Sequence, residues 1–355
     1  MPRTPFRSVV TVLCLGAVLL APARSAQDAL RVLIVGGGPN PGSNQVAIES
    51  NVRWVDTLVP SRFERTVLFC DGRSGSKVVQ YASEIAGAEQ SLSLLFRSPD
   101  APGAASGGVS FRESTLGRID GPSTAGGLNK AVDGLAQRSS PVLMYFTGHG
   151  SQDRRDPDNN RYDHWLEPGM TPGVLAGHIA RLPKGTPVTL VMVQCFSGAF
   201  ANVIFENADP KAPLVDRPIC GFFAATRERE AAGCTPELNE AEYRDFTSAF
   251  FAALTGRDRV GRKVARPDYD GDGTVGFDEA YAYSLVNDPS IDVPVATSDA
   301  FLRRFVPVAD DDEITSVPWE RIRAAASVSQ RAALDGLCAA LGEKAQGADR
   351  VKVAL

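Results

Sequence analysis

The sequence predicts an α/β sandwich built around a mostly parallel sheet. Three observations carry this reading. Short apolar runs alternate with segments of helical periodicity. The runs are almost wholly apolar and lack the alternation of a sheet with one wet face, so both faces are covered. Several runs stop at glycine, where a chain leaves a sheet edge. The chain has 355 residues, of which 43% are apolar and 22% charged, so it can bury a large core.

The elements follow in order. Leu30–Gly37, "LRVLIVGG", is a buried strand ending in glycines. Ile48, Val52, Val55 and Val59 recur at helical spacing and mark an amphipathic helix. Arg65–Cys70 is a second strand, closed by the turn "DGRSG". Residues 98–126 are rich in Gly, Pro, Ser and Ala and read as a long loop. Ala125–Arg138 is a helix, Pro141–Phe146 a strand, Pro172–Leu182 a helix opened by proline, and Pro187–Val193 a strand. Ile219–Thr226 is a further strand and Tyr243–Leu254 a helix. Val317–Ala345 is Ala-rich and helical. The expected organisation is one domain over residues 28–305, with a helical C-terminal extension over 306–355.

Residues 1–23 have the pattern of a secretory signal peptide. Arg3 and Arg7 precede the apolar core Val9–Ala21, and small residues follow at Ala21 and Ala23. The core is short for a bilayer span, so the mature chain is expected to be secreted or periplasmic, with no stable membrane span. Cys14 leaves with this segment, and Cys70, Cys195, Cys220, Cys234 and Cys338 remain. An odd number leaves at least one free or paired between chains, and Cys220 with Cys234 is the expected pair. Net charge is −5, with no basic patch, which excludes a nucleic-acid partner.

Two strand ends carry the chemistry. "PVLMYFTGHG" places His149 between Gly148 and Gly150, and "PVTLVMVQCFSG" places Cys195 shortly before Gly198. In a parallel sheet both lie on the carboxyl edge, where ligands bind. A thiol attacks as thiolate, and an imidazole can draw off its proton. The backbone N–H groups of Gly150 and Cys195 can face a developing oxyanion. A cysteine behind an apolar strand is by itself usually a core residue, so it is the pairing that points to catalysis. His149, His164, His178 and Cys195 have no compact zinc spacing.

The stretch Asp268–Glu279, "DYDGDGTVGFDE", carries Asp268, Asp270 and Asp272 at positions 1, 3 and 5, Gly273 at 6 and Glu279 at 12. This is the EF-hand loop pattern. Three carboxylates, the Thr274 carbonyl and Glu279 are expected to surround one structural calcium ion. The preceding "GRKVARP" makes an entering helix doubtful.

A strand ending in "TGHG", a helix, then a strand ending in "QCFSG", with 149 and 195 separated by 46 residues, resembles the caspase-like cysteine peptidases. The legumain family, in its exported bacterial form, is the most similar branch. The resemblance implies a caspase-like three-layer α/β/α sandwich and a cysteine endopeptidase acting on peptide or protein substrates. Cys195 would be the nucleophile, His149 the proton-transfer partner, and Gly150 and Cys195 the oxyanion donors. Val193 stands where legumains carry an acid two residues before the cysteine, and "PGSNQ" (Pro41–Gln45) stands where they carry a base. No preference for the cleaved residue carries over. Arg227, Arg229, Glu230 and Glu237 border the expected specificity pocket and read as solvated charges. Two further readings fit the same residues: an inactive homologue that binds peptides or proteins, and a calcium-dependent binding module.

Overall fold

The computed structural model describes residues 29–83, 108–305 and 317–340. The expected leader, and residues 306–316 and 341–355 of the extension, lie outside the described residues.

Strand β1 (Arg31–Gly37) is buried along its whole length and leads into α1 (Val46–Leu58) and β2 (Glu64–Phe69). The hairpin β3 (Lys77–Ser83) and β4 (Gly108–Glu113) follows, then α2 (Ala125–Leu135) and β5 (Val142–Gly148). Two short strands, β6 (Gly150–Ser151) and β7 (Arg161–Tyr162), precede α3 (Pro172–Ala180) and β8 (Val188–Met192). A 3-10 run (Ser197–Ile204) leads to β9 (Ile219–Phe223), α4 (Phe246–Thr255) and α5 (Phe277–Asn287). The described chain ends with β10 (Val295–Ala296), α6 (Thr297–Phe305), α7 (Trp319–Ala325) and α8 (Val328–Ala340).

The central sheet has six strands in the order β10-β9-β8-β5-β1-β2. All neighbours are parallel except β10, which runs antiparallel to β9. Successive β1 residues point to opposite cores, as the two-residue strand period requires. Val32 and Ile34 join the core under α1, α4 and α5. Leu33 and Val35 join the core under α2, α3 and the 3-10 run. This is the expected three-layer α/β/α sandwich with a mostly parallel sheet.

Local chemistry sets the helix ends. Thr124 accepts a hydrogen bond from the Gly127 N–H at the start of α2, and Thr171 does the same for Val174 in α3, where Pro172 opens the helix. Asp245 caps α4 through the Ser248 N–H at 2.6 Å, so the helix starts at Phe246 rather than at Tyr243. Gly256 ends it in the left-handed conformation, φ +71°.

The expected loop over 98–126 is corrected within its described part. Gly108–Glu113 is a strand paired with β3, a small sheet whose polar and apolar residues intermix. The expected C-terminal helix is two helices, broken between Ala325 and Val328. Helix α8 rests on α5, with Ser329 Oγ donating to Asp278 Oδ2 at 2.8 Å. A 3-10 run, Ser197–Ile204, follows Cys195. Among the described residues no cysteine is in a disulfide, so the expected Cys220–Cys234 pair does not form. Cys220 is exposed on β9, whereas Cys234 sits against β5. Among the described residues, no helix is long and apolar enough to cross a membrane.

Candidate active site

His149 follows β5, and Cys195 lies three residues beyond β8. These strands are hydrogen-bonded neighbours, in register from Val142–Val188 to Phe146–Met192. The Val193 N–H continues the pairing to Phe146 O at 3.0 Å. The two residues therefore leave the sheet side by side. A Cβ at Gly150 would stand 2.2 Å from the Cys195 carbonyl oxygen, so only glycine lets the two loops touch. Gly148 has φ +154°, and a Cβ there would meet Gly37 O at 2.4 Å. Close backbone contact across β1, β5 and β8 thus fixes the edge on which both side chains stand.

Both side chains are half-buried, and each is engaged away from the other. His149 Nε2 lies 2.9 Å from Gln45 Oε1, on the residue that opens α1, and the Ser43 backbone also bonds the ring. Burial lowers the imidazole's proton affinity from its usual 6.5, with Asp163 and Ser43 opposing. Cys195 Sγ accepts from the Ala231 N–H at 3.3 Å and donates to Ala231 O at 3.7 Å. Burial pushes this thiol up, the Ala231 N–H opposes it, and the charges of Glu230 and Asp292 add to the rise. Among the described residues, no hydrogen bond joins His149 to Cys195.

Gly150 pairs with Tyr162, and the Asp163 N–H donates to His149 O at 3.0 Å. In an antiparallel ladder this puts Gly150 at a non-hydrogen-bonded position, so its N–H is not spent on β7. Phe196, directly after the cysteine, holds φ +59° and ψ +18°. A left-handed non-glycine residue is costly and persists only where its surroundings fix it. Here the Phe196 N–H is tied to Arg229 O at 2.8 Å.

Other expected residues divide. His164 is buried on Ser123 O, and His178 lies on α3 beside Arg181, so neither joins the site. Arg227 is not a free solvated charge, because it pairs with Asp158 and Glu228. Arg229, Glu230 and Glu237 are exposed, as expected. Sequence reasoning missed Gln45, Ala231 and Asp292. Asp292 Oδ1 accepts from the Ala232 N–H at 2.6 Å and Oδ2 from Phe246 at 2.9 Å. Burial, with Asp288 and Asp245 adding to it, raises Asp292 to about 6 against these two bonds.

A second cluster lies apart in sequence, between Pro267 and α5. Ligand atoms of Asp268, Asp270 and Glu279 all fall within 4.8 Å of one another, the only such group among the described residues. Asp268 Oδ1 is buried with no hydrogen-bond partner, which suits a cation ligand. Gly271 and Gly273 take φ of +75° and +89°, the tight turn the loop needs. Asp272 is turned to its own loop, accepting from the Thr274 N–H and hydroxyl. Glu279 is 4% exposed and accepts from the N–H groups of Tyr269, Asp270 and Gly276. Residues Gly256–Pro267 form no helix, so the loop has an exiting helix only.

No family profile matches the sequence, and no curated protein matches it. Among solved structures, the chain is similar to a Geobacter sulfurreducens protein determined as a structural-genomics target. The identity is 12% and the TM-score 0.42, over 76% of this chain and 93% of that one. It is also similar to a secreted C11 cysteine protease from Bacteroides thetaiotaomicron, at 12% identity and a TM-score of 0.35, over 84% of this chain and 71% of that one.

Proposed function

We propose that the chain is an exported, caspase-like cysteine endopeptidase of legumain type, with Cys195 as nucleophile and His149 as its proton-transfer partner. The observation that carries this is the pairing of β5 with β8, which sets His149 and Cys195 side by side on the carboxyl edge of the sheet. In the proposed reaction the imidazole takes the thiol proton as sulfur attacks the substrate carbonyl carbon. A carbon–sulfur bond forms, and the carbonyl oxygen becomes an oxyanion facing the Gly150 and Cys195 N–H groups. The carbon–nitrogen bond then breaks, and His149 returns the proton to the leaving amine. Water, deprotonated by the same imidazole, hydrolyses the thioester and regenerates the thiol. The Asp268–Glu279 loop is proposed to hold one structural calcium ion through Asp268, Asp270, Asp272, the Thr274 carbonyl and Glu279.

Cys195→Ala and His149→Ala test the catalytic assignment. Residues that act as a unit lose nearly all activity on single removal. Each variant is expected to keep the wild-type circular dichroism and lose hydrolysis of a mixed peptide library, read by mass spectrometry. Unchanged hydrolysis in either folded variant would refute the pair.

A further inference from the structure

We propose that residues 227–236 form an inhibitory strap that holds Cys195 latent, with the Asp292 carboxylate as its latch. The proposal rests on the reading of Cys195 as a nucleophile.

The segment crosses the carboxyl edge of the sheet from one side to the other. Arg227 O accepts from Asn160 Nδ2 at 2.7 Å, and Arg229 O from the Phe196 N–H at 2.8 Å. Ala231 then meets the Cys195 sulfur with both its N–H and its carbonyl. Cys234 Sγ reaches Gly148 O at 3.6 Å, one residue before His149. Thr235 O accepts from the Ala47 N–H at the start of α1, and Pro236 O from Ala82 at the end of β3. One continuous stretch of chain therefore touches the ends of β8, β5, α1 and β3, by backbone groups everywhere but at β5, where the Cys234 sulfur makes the contact.

Its effect on the thiol is direct. The sulfur's proton is directed to Ala231 O instead of the imidazole, and the Ala231 N–H occupies a sulfur lone pair. An entering substrate carbonyl has to displace Ala231 first. His149 is meanwhile held on Gln45. Both members of the pair are thus in place on their strands but occupied, which is the arrangement of a latent enzyme.

Among the described residues, Asp292 is the one side chain outside the strap that holds its centre by a charge-assisted hydrogen bond, through the Ala232 N–H beside Ala231. Glycine at 233, with φ +110°, lets the strap bend there against Asp245, whose Oδ2 would stand 3.1 Å from a Cβ. Lifting the strap breaks no sheet or helix hydrogen bond between regular elements. It frees Cys195 and leaves the sandwich intact.

The test is the rate at which iodoacetamide alkylates Cys195 in Asp292→Ala, with exposed Cys220 as the internal reference, each adduct quantified by peptide mapping. Loss of one charge-assisted hydrogen bond is expected to raise the Cys195 rate about tenfold or more. The Cys220 rate should not change. Asp292 also holds the Phe246 N–H of α4, so Ala232→Pro is the second variant; it removes the strap's donor and leaves the carboxylate. A Cys195 rate unchanged from wild type in either folded variant overturns the strap. Faster alkylation with faster peptide hydrolysis supports it. Faster alkylation without hydrolysis supports the strap as a cover over Cys195 and refutes the peptidase reading instead.

Discussion

At the scale of residues, the unusual feature is a thiol and an imidazole that are both shifted toward their neutral forms. Burial raises Cys195 from its usual 9.0 and lowers His149 from 6.5, so burial favours the neutral form of each. Under the proposed function the pair would transfer the proton during attack rather than stand as a thiolate–imidazolium pair. The sign for pH follows from His149. Burial disfavours the imidazolium, so the ring gives up its proton at lower pH and stays a competent base further into acid. The acid limb of kcat/KM for peptide hydrolysis is expected below pH 6.5. A midpoint well above 6.5 would mean that a different group, or an exposed His149, limits the reaction. That His149 and Cys195 stand on one sheet edge was legible in the sequence because each follows an apolar run, His149 between two glycines and Cys195 three residues before Gly198, and that signal is local. Gln45, Ala231 and Asp292 were not legible. Each reaches the site from a loop distant in sequence, and loops carry no periodicity that points to a partner. Cys234 was misassigned for the same reason: sequence nearness to Cys220 says nothing about facing Gly148.

At the scale of elements, the five parallel strands of the central sheet were read correctly in type and nearly in extent, because a parallel strand covered on both faces is a continuous apolar run, whereas the two-residue antiparallel β10 was not read. The hairpin β3–β4 escaped because its residues, "KVVQYAS" and "GVSFRE", mix polar and apolar positions on a small, half-exposed sheet. Close packing between elements also has a readable cause after the fact. A Cβ on Gly36 of β1 would lie 2.2 Å from Val52 Cγ2 of α1, and Val52 is fully buried. Gly36→Ala must push α1 away from the sheet or force Val52 off its rotamer. Overpacking of this kind typically costs about 1–3 kcal/mol. The urea midpoint of Gly36→Ala should fall with the slope unchanged. The partner change Val52→Ala on the same background should recover part of the loss, since it removes the clashing methyl. If Gly36→Ala alone leaves the midpoint where it was, α1 does not press on β1 as closely as this contact requires.

At the scale of the whole molecule, the Asp268–Glu279 loop joins the sandwich to its C-terminal helices. Its exiting helix α5 packs on α4 on one side and on α8 on the other. An ion bound there would fix α5 and so couple the two regions. Glu279 complicates the usual test, because it already bonds three backbone N–H groups of the loop without any ion. Removing it is expected to lower stability even in chelator. Asp268 is the cleaner probe, since its Oδ1 is buried without a partner and its Oδ2 holds only the Gly273 N–H. A ligand that binds only the folded state stabilises it by RT ln(1 + [L]/Kd). An extracellular-type site binds at roughly 0.1–1 mM. At 10 mM calcium that gives about 1.4–2.7 kcal/mol, or roughly 2–5 °C in Tm for a chain of this size. Magnesium should give less, because it demands tighter octahedral geometry. Asp268→Ala should lose the calcium shift while keeping a Tm in chelator close to wild type. Glu279→Gln should lose the shift and melt lower under both conditions. Equal wild-type melting with calcium and with chelator would leave Asp268–Glu279 as an acidic cap on α5, and a shift that survives Asp268→Ala would place the ion elsewhere.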